Sequence, residues 1–288
     1  MNSILQLILI LTLTSMTAFA QKNSDIDIDK KYEVNQNGTL HLKSDDADVR
    51  ITGTDRKDAH VKIHRRVDEL GIVMGERDFK VEVTIRDGDL YIEDFEQSST
   101  LSIVGYIEEE YTITIEIPQT MSLKIRGDDD DYVIRNVNGE IRMKVDDGDA
   151  RLRNCRGKYF DFDFDDGDIN MDVASGYLKL DIDDGDFEVE QASFTEIDAN
   201  IDDGDIDMKT SLGNDSSYTF IVDDGTIDLS ILSGGGEFTI YHDDTSISTM
   251  GRFIKTQDDE SKSTLSLNEG TAKVKIRSDD GRIRLKAI

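Results

Sequence analysis

Along most of the chain apolar and polar residues alternate one for one. Ile141, Met143 and Val145 are separated by charged residues, a cluster of carboxylates around Gly148 follows, and Ala150 and Leu152 take the alternation up again. The same columns return as Phe160, Phe162 and Phe164 followed by Ile169 and Met171, then as Leu178, Leu180 and Ile182 followed by Phe187 and Val189. They return once more as Ile197, Ala199 and Ile201 before Ile206 and Met208, and as Phe220 and Val222 before Ile227 and Leu229. A period of two puts successive side chains on opposite faces and predicts strands. No segment beyond the first twenty residues keeps a helical period with caps, and Pro118 sits in IEIPQTM between two alternating runs, so the expected class is all-β.

The strands recur at a fixed step. The acidic turns begin at Asp128, Asp146, Asp165, Asp183, Asp202, Asp223 and Asp243, which gives steps of 18, 19, 18, 19, 21 and 20 residues. A late echo, SDDGR, lies at Asp279, and early ones lie at SDDAD (Asp45) and RDGD (Asp87). Asp-Gly between alternating strands also suits a hairpin. A meander of hairpins has no reason to keep a constant step, however, whereas a coil that returns to the same place once per repeat does. The spacing therefore predicts a single-stranded β-solenoid: a stack of coils of about 18–21 residues with Asp-Asp-Gly-Asp corners, in which no coil buries its apolar face without neighbours. Gly148, Gly167, Gly185, Gly204 and Gly225 then stand at the corner, where positive φ makes a Cβ costly.

The beginning of the chain reads differently. Ile4 to Leu13 is an apolar run, and Ala18-Phe19-Ala20 before Gln21 is a small-residue cleavage signature, so residues 1–20 are expected to be a secretory signal peptide with no membrane span after its removal. Residues 21–120 are expected to hold N-terminal β coils with irregular loops at 71–77 and 97–110, and residues 121–288 the regular acidic repeats with a basic C-terminal cap. The stretch 21–288 is expected to form one continuous domain. Cys155 is the single cysteine, so no internal disulfide staples the fold; an exported bacterial protein of the periplasm or surface fits this better than a small disulfide scaffold.

The run YTITIEIPQTMSLKIRGDDDDYVIRNVNGEIRMKVDDGDARL, with a strand ending in Ile117-Pro118, a following apolar strand and then repeated Gly-Asp turns, resembles the adhesin-like toast-rack domains of unknown function found in exported bacterial proteins. The likeness covers roughly positions 33–288. It implies a stacked solenoid-like domain and an envelope or surface location, and it carries no catalytic residues to transfer. Members more often show Ser-Gly-Asp or Thr-Gly-Asp at the corner, so the abundance of aspartate belongs to this chain.

That abundance is large. The net charge is −29, and between Tyr159 and Leu232 there are 22 Asp and Glu against Lys179 and Lys209 alone, a net of −20 in 74 residues. Such a chain repels nucleic acid and favours multivalent cations or basic protein surfaces as partners. Stacked corners about 4.8 Å apart repel by roughly 0.9 kcal/mol per charge pair in water. One reading is that the carboxylates are solvated turn formers that also deter edge aggregation. The other is that they form cation ladders suited to Ca2+, which takes six to eight oxygens. The candidate ligands are Asp146, Asp147, Asp149, Asp165, Asp166, Asp168, Asp183, Asp184, Asp186, Asp202, Asp203 and Asp205. No cofactor is required. The outward strand residues Asp161, Asp163, Asp181, Asp198 and Asp207 are not explained by turn propensity.

Other chemistry is sparse. His60 and His64 share one strand face in AHVKIHRR without an acidic or thiol partner in the local sequence, and Cys155 lies between Arg153 and Arg156 as an inert corner thiol. The final segment KVKIRSDDGRIRLKAI carries six cations against Asp279 and Asp280; a lysine-rich capping coil explains it, and head-to-tail association of a basic end with an acidic body is the alternative. No nucleophile motif is present. The expected function is a non-enzymatic, exported, adhesin-like structural or interaction protein with an acidic, Ca2+-competent face. An envelope sensor or regulator acting through protein contacts is the second reading. A β-helix polysaccharide lyase is the third, disfavoured by the absence of tryptophan and of a basic cleft in the repeats.

Overall fold

A computed structural model describes residues 25–74, 77–98 and 102–288; the segment expected to be a signal peptide, 1–20, lies outside them. In chain order the strands are β1 (Ile26–Glu33), β2 (Thr39–Ser44), β3 (Asp48–Thr54), β4 (Asp58–Met74), β5 (Arg77–Arg86), β6 (Asp89–Ser98) and β7 (Ser102–Pro118). They continue with β8 (Ser122–Gly127), β9 (Asp131–Arg135), β10 (Ile141–Asp147), β11 (Ala150–Arg153), β12 (Tyr159–Asp166), β13 (Ile169–Asp184) and β14 (Phe187–Asp203). The rest are β15 (Ile206–Ser211), β16 (Ser217–Ser233), β17 (Gly236–His242), β18 (Thr245–Met250), β19 (Phe253–Asp259), β20 (Lys262–Leu267) and β21 (Ala272–Ala287).

Two columns of parallel strands form the walls of a β-solenoid. The first holds β2, β8, β10, β12 and the later halves of β13 and β14, followed by the early half of β16. The second holds β3, β9, β11, the early halves of β13 and β14, then β15 and the later half of β16. Each coil goes up one wall, turns at an acidic corner and returns along the other. Register keeps like on like: Ile141 lies beside Phe160, Phe160 beside Leu178, and Leu178 beside Ile197. A shift of one residue would turn every inward side chain outward, so the alternation fixes the register. The inward residues form one buried cluster in which Phe160, Phe162, Phe164, Phe187, Phe194, Phe220 and Phe238 are each no more than 1% exposed.

The order in space departs from the order in sequence at both ends. β21 enters between β16 and the coil made by β17 and β18, pairing with all three in parallel. The Asp279 corner therefore stacks directly on the Asp223 corner, with Asp224 beside Asp280, and the His242-Asp243 corner lies one coil further out. At the other end β2 and β3 enter between β8 and β9 on one side and β6 and β7 on the other. The basic C-terminal segment is thus not the cap expected of it. It is an interior coil whose cations neighbour acidic strands, with Arg284 at 2.9 Å from Asp228 and Lys273 at 3.5 Å from Glu237. The closing strands there are β18 and the antiparallel pair β20 and β19.

Two further expectations are corrected. The segments 71–77 and 97–110 are strand wherever they are described: β4 and β7 pair antiparallel from His60 and Glu116 out to Met74 and Ser102, and β5 pairs with β6 from Arg86 and Asp89 to Arg77 and Ser98. These arms are antiparallel and stand outside the parallel columns that repeat every 18–21 residues, so the repeat does not mark them as strand. Asp87-Gly88 is not a coil corner either. With φ of 54° and 89° it makes the tight turn joining β5 to β6, the type I′ geometry that Asp-Gly favours in hairpins.

Candidate functional site: the acidic corner face

The corners stack as closely as the walls. Asp147, Asp166, Asp184, Asp203, Asp224 and Asp280 stand in register on successive coils. Beside each runs a corner glycine in the left-handed region, and the fit is tight enough that a Cβ on Gly185 would lie 2.3 Å from the carbonyl oxygen of Gly167. Partial desolvation, then the neighbouring Asp166 and Asp129, raise the Asp147 carboxyl above its ordinary range. Asp183 is raised by partial desolvation and by Asp202 and Asp165, its counterparts on the next coils.

The three expected carboxylate positions of each corner do different things. The last aspartate of each corner is used by the backbone: Oδ1 of Asp149 accepts from the amide of Asp168 at 3.1 Å, Asp168 from Asp186 at 3.0 Å, Asp186 from Asp205 at 2.8 Å, and Asp205 from Thr226 at 2.7 Å. Each coil's carboxylate satisfies a corner N–H of the next, where no wall strand supplies an acceptor. Asp149, Asp168, Asp186 and Asp205 therefore have a structural role, and the second oxygen of Asp149 already takes Arg151 at 3.1 Å. The first two positions, Asp146, Asp147, Asp165, Asp166, Asp183, Asp184, Asp202 and Asp203, are exposed and form the outer acidic edge.

The outward aspartates of the walls are answered by cations on adjacent coils. Asp161 lies between Arg142 (3.9 Å) and Lys179 (3.6 Å), and Asp163 meets Lys144 at 3.2 Å. Asp181 accepts from the Asn200 amide at 3.0 Å. On β16 Asp228 is answered by Arg284 at 2.9 Å. Asp207 is held above the ordinary carboxylate range by burial and by Asp228 across the strand pair.

The N-terminal end of the corner face carries residues that the repeat pattern did not single out. Asp130 stands where the next coil has Gly148, and its side chain turns fully inward, 0% exposed. It accepts from the Ala47 amide at 2.7 Å and from the hydroxyls of Ser44 (2.9 Å) and Tyr132 (2.8 Å). Asp94 is also buried and accepts from Tyr111 at 2.9 Å and the Asp45 amide at 3.3 Å. Burial pushes Asp94 up to about 7 and Asp130 up to about 6. Asp94 follows Leu90 and Ile92 in an inward column, and a carboxylate at an inward position is the sequence signal that marks it. Above these groups opens a cleft of about 650 Å³ lined by Lys43, Asp45, Phe79, Asp94, Phe95 and Glu109 among others. At its rim Asp45, Asp46 and Asp129 bring carboxylate oxygens within 4.8 Å of one another, the one such convergence among the described residues. The Asp45 carboxyl is raised by burial and by Asp46, Asp128 and Asp129.

The minor candidates resolve simply. His60 has acidic partners that the local sequence does not reveal, with its ring 2.5 Å from Asp29 on β1 and 3.8 Å from Glu116 on β7. Cys155 is buried, and burial raises its thiol to about 11, so the flanking arginines do not activate it.

A profile of the Toastrack DUF4097 family matches residues 37–286, the whole two-walled stack and both tucked ends. The chain belongs to the Toastrack family. Solved structures similar to this Toastrack chain include a putative adhesin from Parabacteroides distasonis (9% identity, covering 91% of this chain and 97% of that one, TM-score 0.44). Others are a putative adhesin from Bacteroides fragilis (13%, 90% and 97%, 0.42) and a putative cell adhesion protein from Clostridium sporogenes (12%, 91% and 100%, 0.29). No curated protein sequence matches the Toastrack chain.

Proposed function

We propose that this Toastrack protein is an exported, non-enzymatic, adhesin-like interaction module whose acidic corner edge takes divalent cations, Ca2+ above all, or the basic groups of a partner protein. The observation that carries the proposal is the in-register ladder from Asp147 to Asp280, whose like charges are held at strand spacing. Family membership supports the adhesin-like reading, and the predicted signal peptide supports export. The outer positions Asp146, Asp147, Asp165, Asp166, Asp183, Asp184, Asp202 and Asp203 are the ligands, together with the triad Asp45, Asp46 and Asp129. Calcium accepts several carboxylate oxygens in irregular geometry, as a ladder offers, whereas magnesium demands a compact octahedron.

Thermal unfolding at matched ionic strength in EDTA, in Ca2+ and in Mg2+ tests it. A rise of several degrees with millimolar Ca2+ and little with Mg2+ is expected, because a ligand that binds only the folded state stabilises it. Equal small shifts in both salts mean screening alone and overturn the cation reading. Turnover of an acidic polysaccharide by the purified chain would overturn the non-enzymatic one.

A further inference from the structure

The two ends of the solenoid are stepped in opposite senses. At the C-terminal end the first wall continues through β17, β20 and β19, while the second wall stops at β18. At the N-terminal end the second wall continues from β7 through β4 to β1, while the first adds only β5 beyond β6. Where one end is recessed along the second wall, the other protrudes along the same wall. Direction also agrees. β4 is antiparallel to β7 and β1 antiparallel to β4, so two reversals leave β1 running the same way as the solenoid strands, β18 included.

β18 is unlike the other terminal strands. Among the described residues it pairs on one side only, with β21, and its sequence TSISTM carries no charge and no proline. The other three outermost strands, IDIDKKYE in β1, RDFKVEVTIR in β5 and FIKTQDD in β19, are studded with charge. Natural sheet edges are protected by charge, so a neutral edge is a template for an added strand. Half-buried apolar side chains wait at both ends, Ile247 on β18 and Ile26, Ile28 and Tyr32 on β1, while Met250 is 64% exposed.

Charge selects the occupant. Arg282 and Lys286 lie one strand inside β18, opposite Ser246 and Met250, so Arg282 looks out over a short side chain, while Arg284 between them is turned to Asp228 on β16. On β1 the exposed Asp27 presents a carboxylate, while Asp29 next to it on that face is held by His60 (2.5 Å) and Lys62 (3.8 Å) of β4. We propose that a second copy of this chain is the partner: the β18 edge of one copy pairs in parallel with the β1 edge of the next. The contact joins two different surfaces and does not close on itself, so it builds open head-to-tail chains. The step is two strands at one end and one at the other, which tilts the joint.

Sedimentation velocity of the purified chain from micromolar to millimolar concentration tests this. The expected result is a mass that rises with concentration without levelling at two copies, with association weakened about tenfold between about 0.05 and 0.5 M salt. Ser248→Lys blocks one edge and Asp27→Lys the other; each alone is expected to be monomeric, with Thr249→Lys as a second block of the β18 edge and circular dichroism confirming that each variant folds. Mixed in equal amounts, Ser248→Lys and Asp27→Lys should give two-copy species and nothing larger, since one intact edge of each kind remains. A wild-type chain that stays monomeric throughout overturns the proposal. So does a dimer abolished by Ser248→Lys but untouched by Asp27→Lys, which would be tail-to-tail pairing. Calcium is absent from this test, so its outcome is independent of the cation reading.

Discussion

Gly185→Ala probes the corner stack directly. Gly185 has φ of 148°, and a Cβ there would lie 2.3 Å from the oxygen and 2.8 Å from the carbon of the Gly167 carbonyl. Both contacts are with backbone, which cannot swing aside as a side chain can. To reach ordinary contact the two coils must part by about 1 Å at the corner, enough to break hydrogen bonds near 3 Å. Three bonds cross that corner: Gly167 N to Asp184 O at 3.0 Å, Ile169 N to Asp186 O at 2.9 Å, and Asp186 N to Asp168 Oδ1 at 3.0 Å. At about 0.5–1.5 kcal/mol each, with about 1–3 kcal/mol for a side chain in that region of φ, the loss is about 2.5–7.5 kcal/mol. In a chain of this size that lowers Tm by roughly 5–30 °C. Far-UV circular dichroism melting checks it, with Asp165→Asn as a control expected to leave Tm level or raise it. A Gly185→Ala protein melting within about 2 °C of wild type would refute the close corner stacking on which the carboxylate ladder depends.

Asp168→Ala should lower Tm by a few degrees through loss of the bond to the Asp186 amide, whereas Asp168→Asn keeps an acceptor oxygen, removes a charge and should match or exceed wild type; paired melts of the two variants separate the structural from the electrostatic role. Asp94 and Asp130 have folded-state values raised to about 7 and about 6, so their contribution is full below about pH 4, where the unfolded chain too is protonated, and is lost as pH climbs to 7. Denaturant unfolding from pH 4 to pH 8 should show stability falling by several kcal/mol, and Asp130→Asn should flatten part of that slope. Cys155 should react with a thiol reagent at neutral pH only once the chain is unfolded, since its buried thiol is raised to about 11; labelling in the native state at the unfolded rate would contradict this.

What the sequence made legible was whatever repeats locally. Phe160, Phe162 and Phe164 declare an inward column, and Gly167 a corner, because a period of two and a step near nineteen are visible in a few dozen residues. What it concealed depends on which coil meets which. Nothing in KVKIRSDDGRIRLKAI says that it lies inside the coil of β17 and β18, because any alternating strand satisfies the same ladder; only its cations, set beside Asp228 and Glu237, single out the slot. Asp87-Gly88 and Asp147-Gly148 look alike in sequence, yet one is a hairpin and the other a corner, since the partner strand decides. A third of the expected ligand set shared composition but not role: Asp168 and Asp166 sit two residues apart, and only Asp168 faces an amide that lacks an acceptor. Asp130 was hidden by its neighbours in a run of four aspartates, where the one departure from the corner glycine carries the information.

The tucked ends change how such a molecule can be taken apart. A solenoid whose terminal coil is also its outermost coil frays from that tip, and a nibbling exopeptidase needs to release only one ladder. Here β21 is gripped along both edges, so freeing the C-terminal strand costs two ladders at once, and behind the singly held β1 the strands β2 and β3 are gripped in the same way. The same arrangement orders assembly in time. A chain emerging from its N-terminus makes β17 and β18 before β21 exists, and these strands have no wall to rest on until β21 arrives. Synthesis of β21 is therefore the event that locks this end, and a polypeptide released before it would leave that end unlatched for quality-control proteases to find.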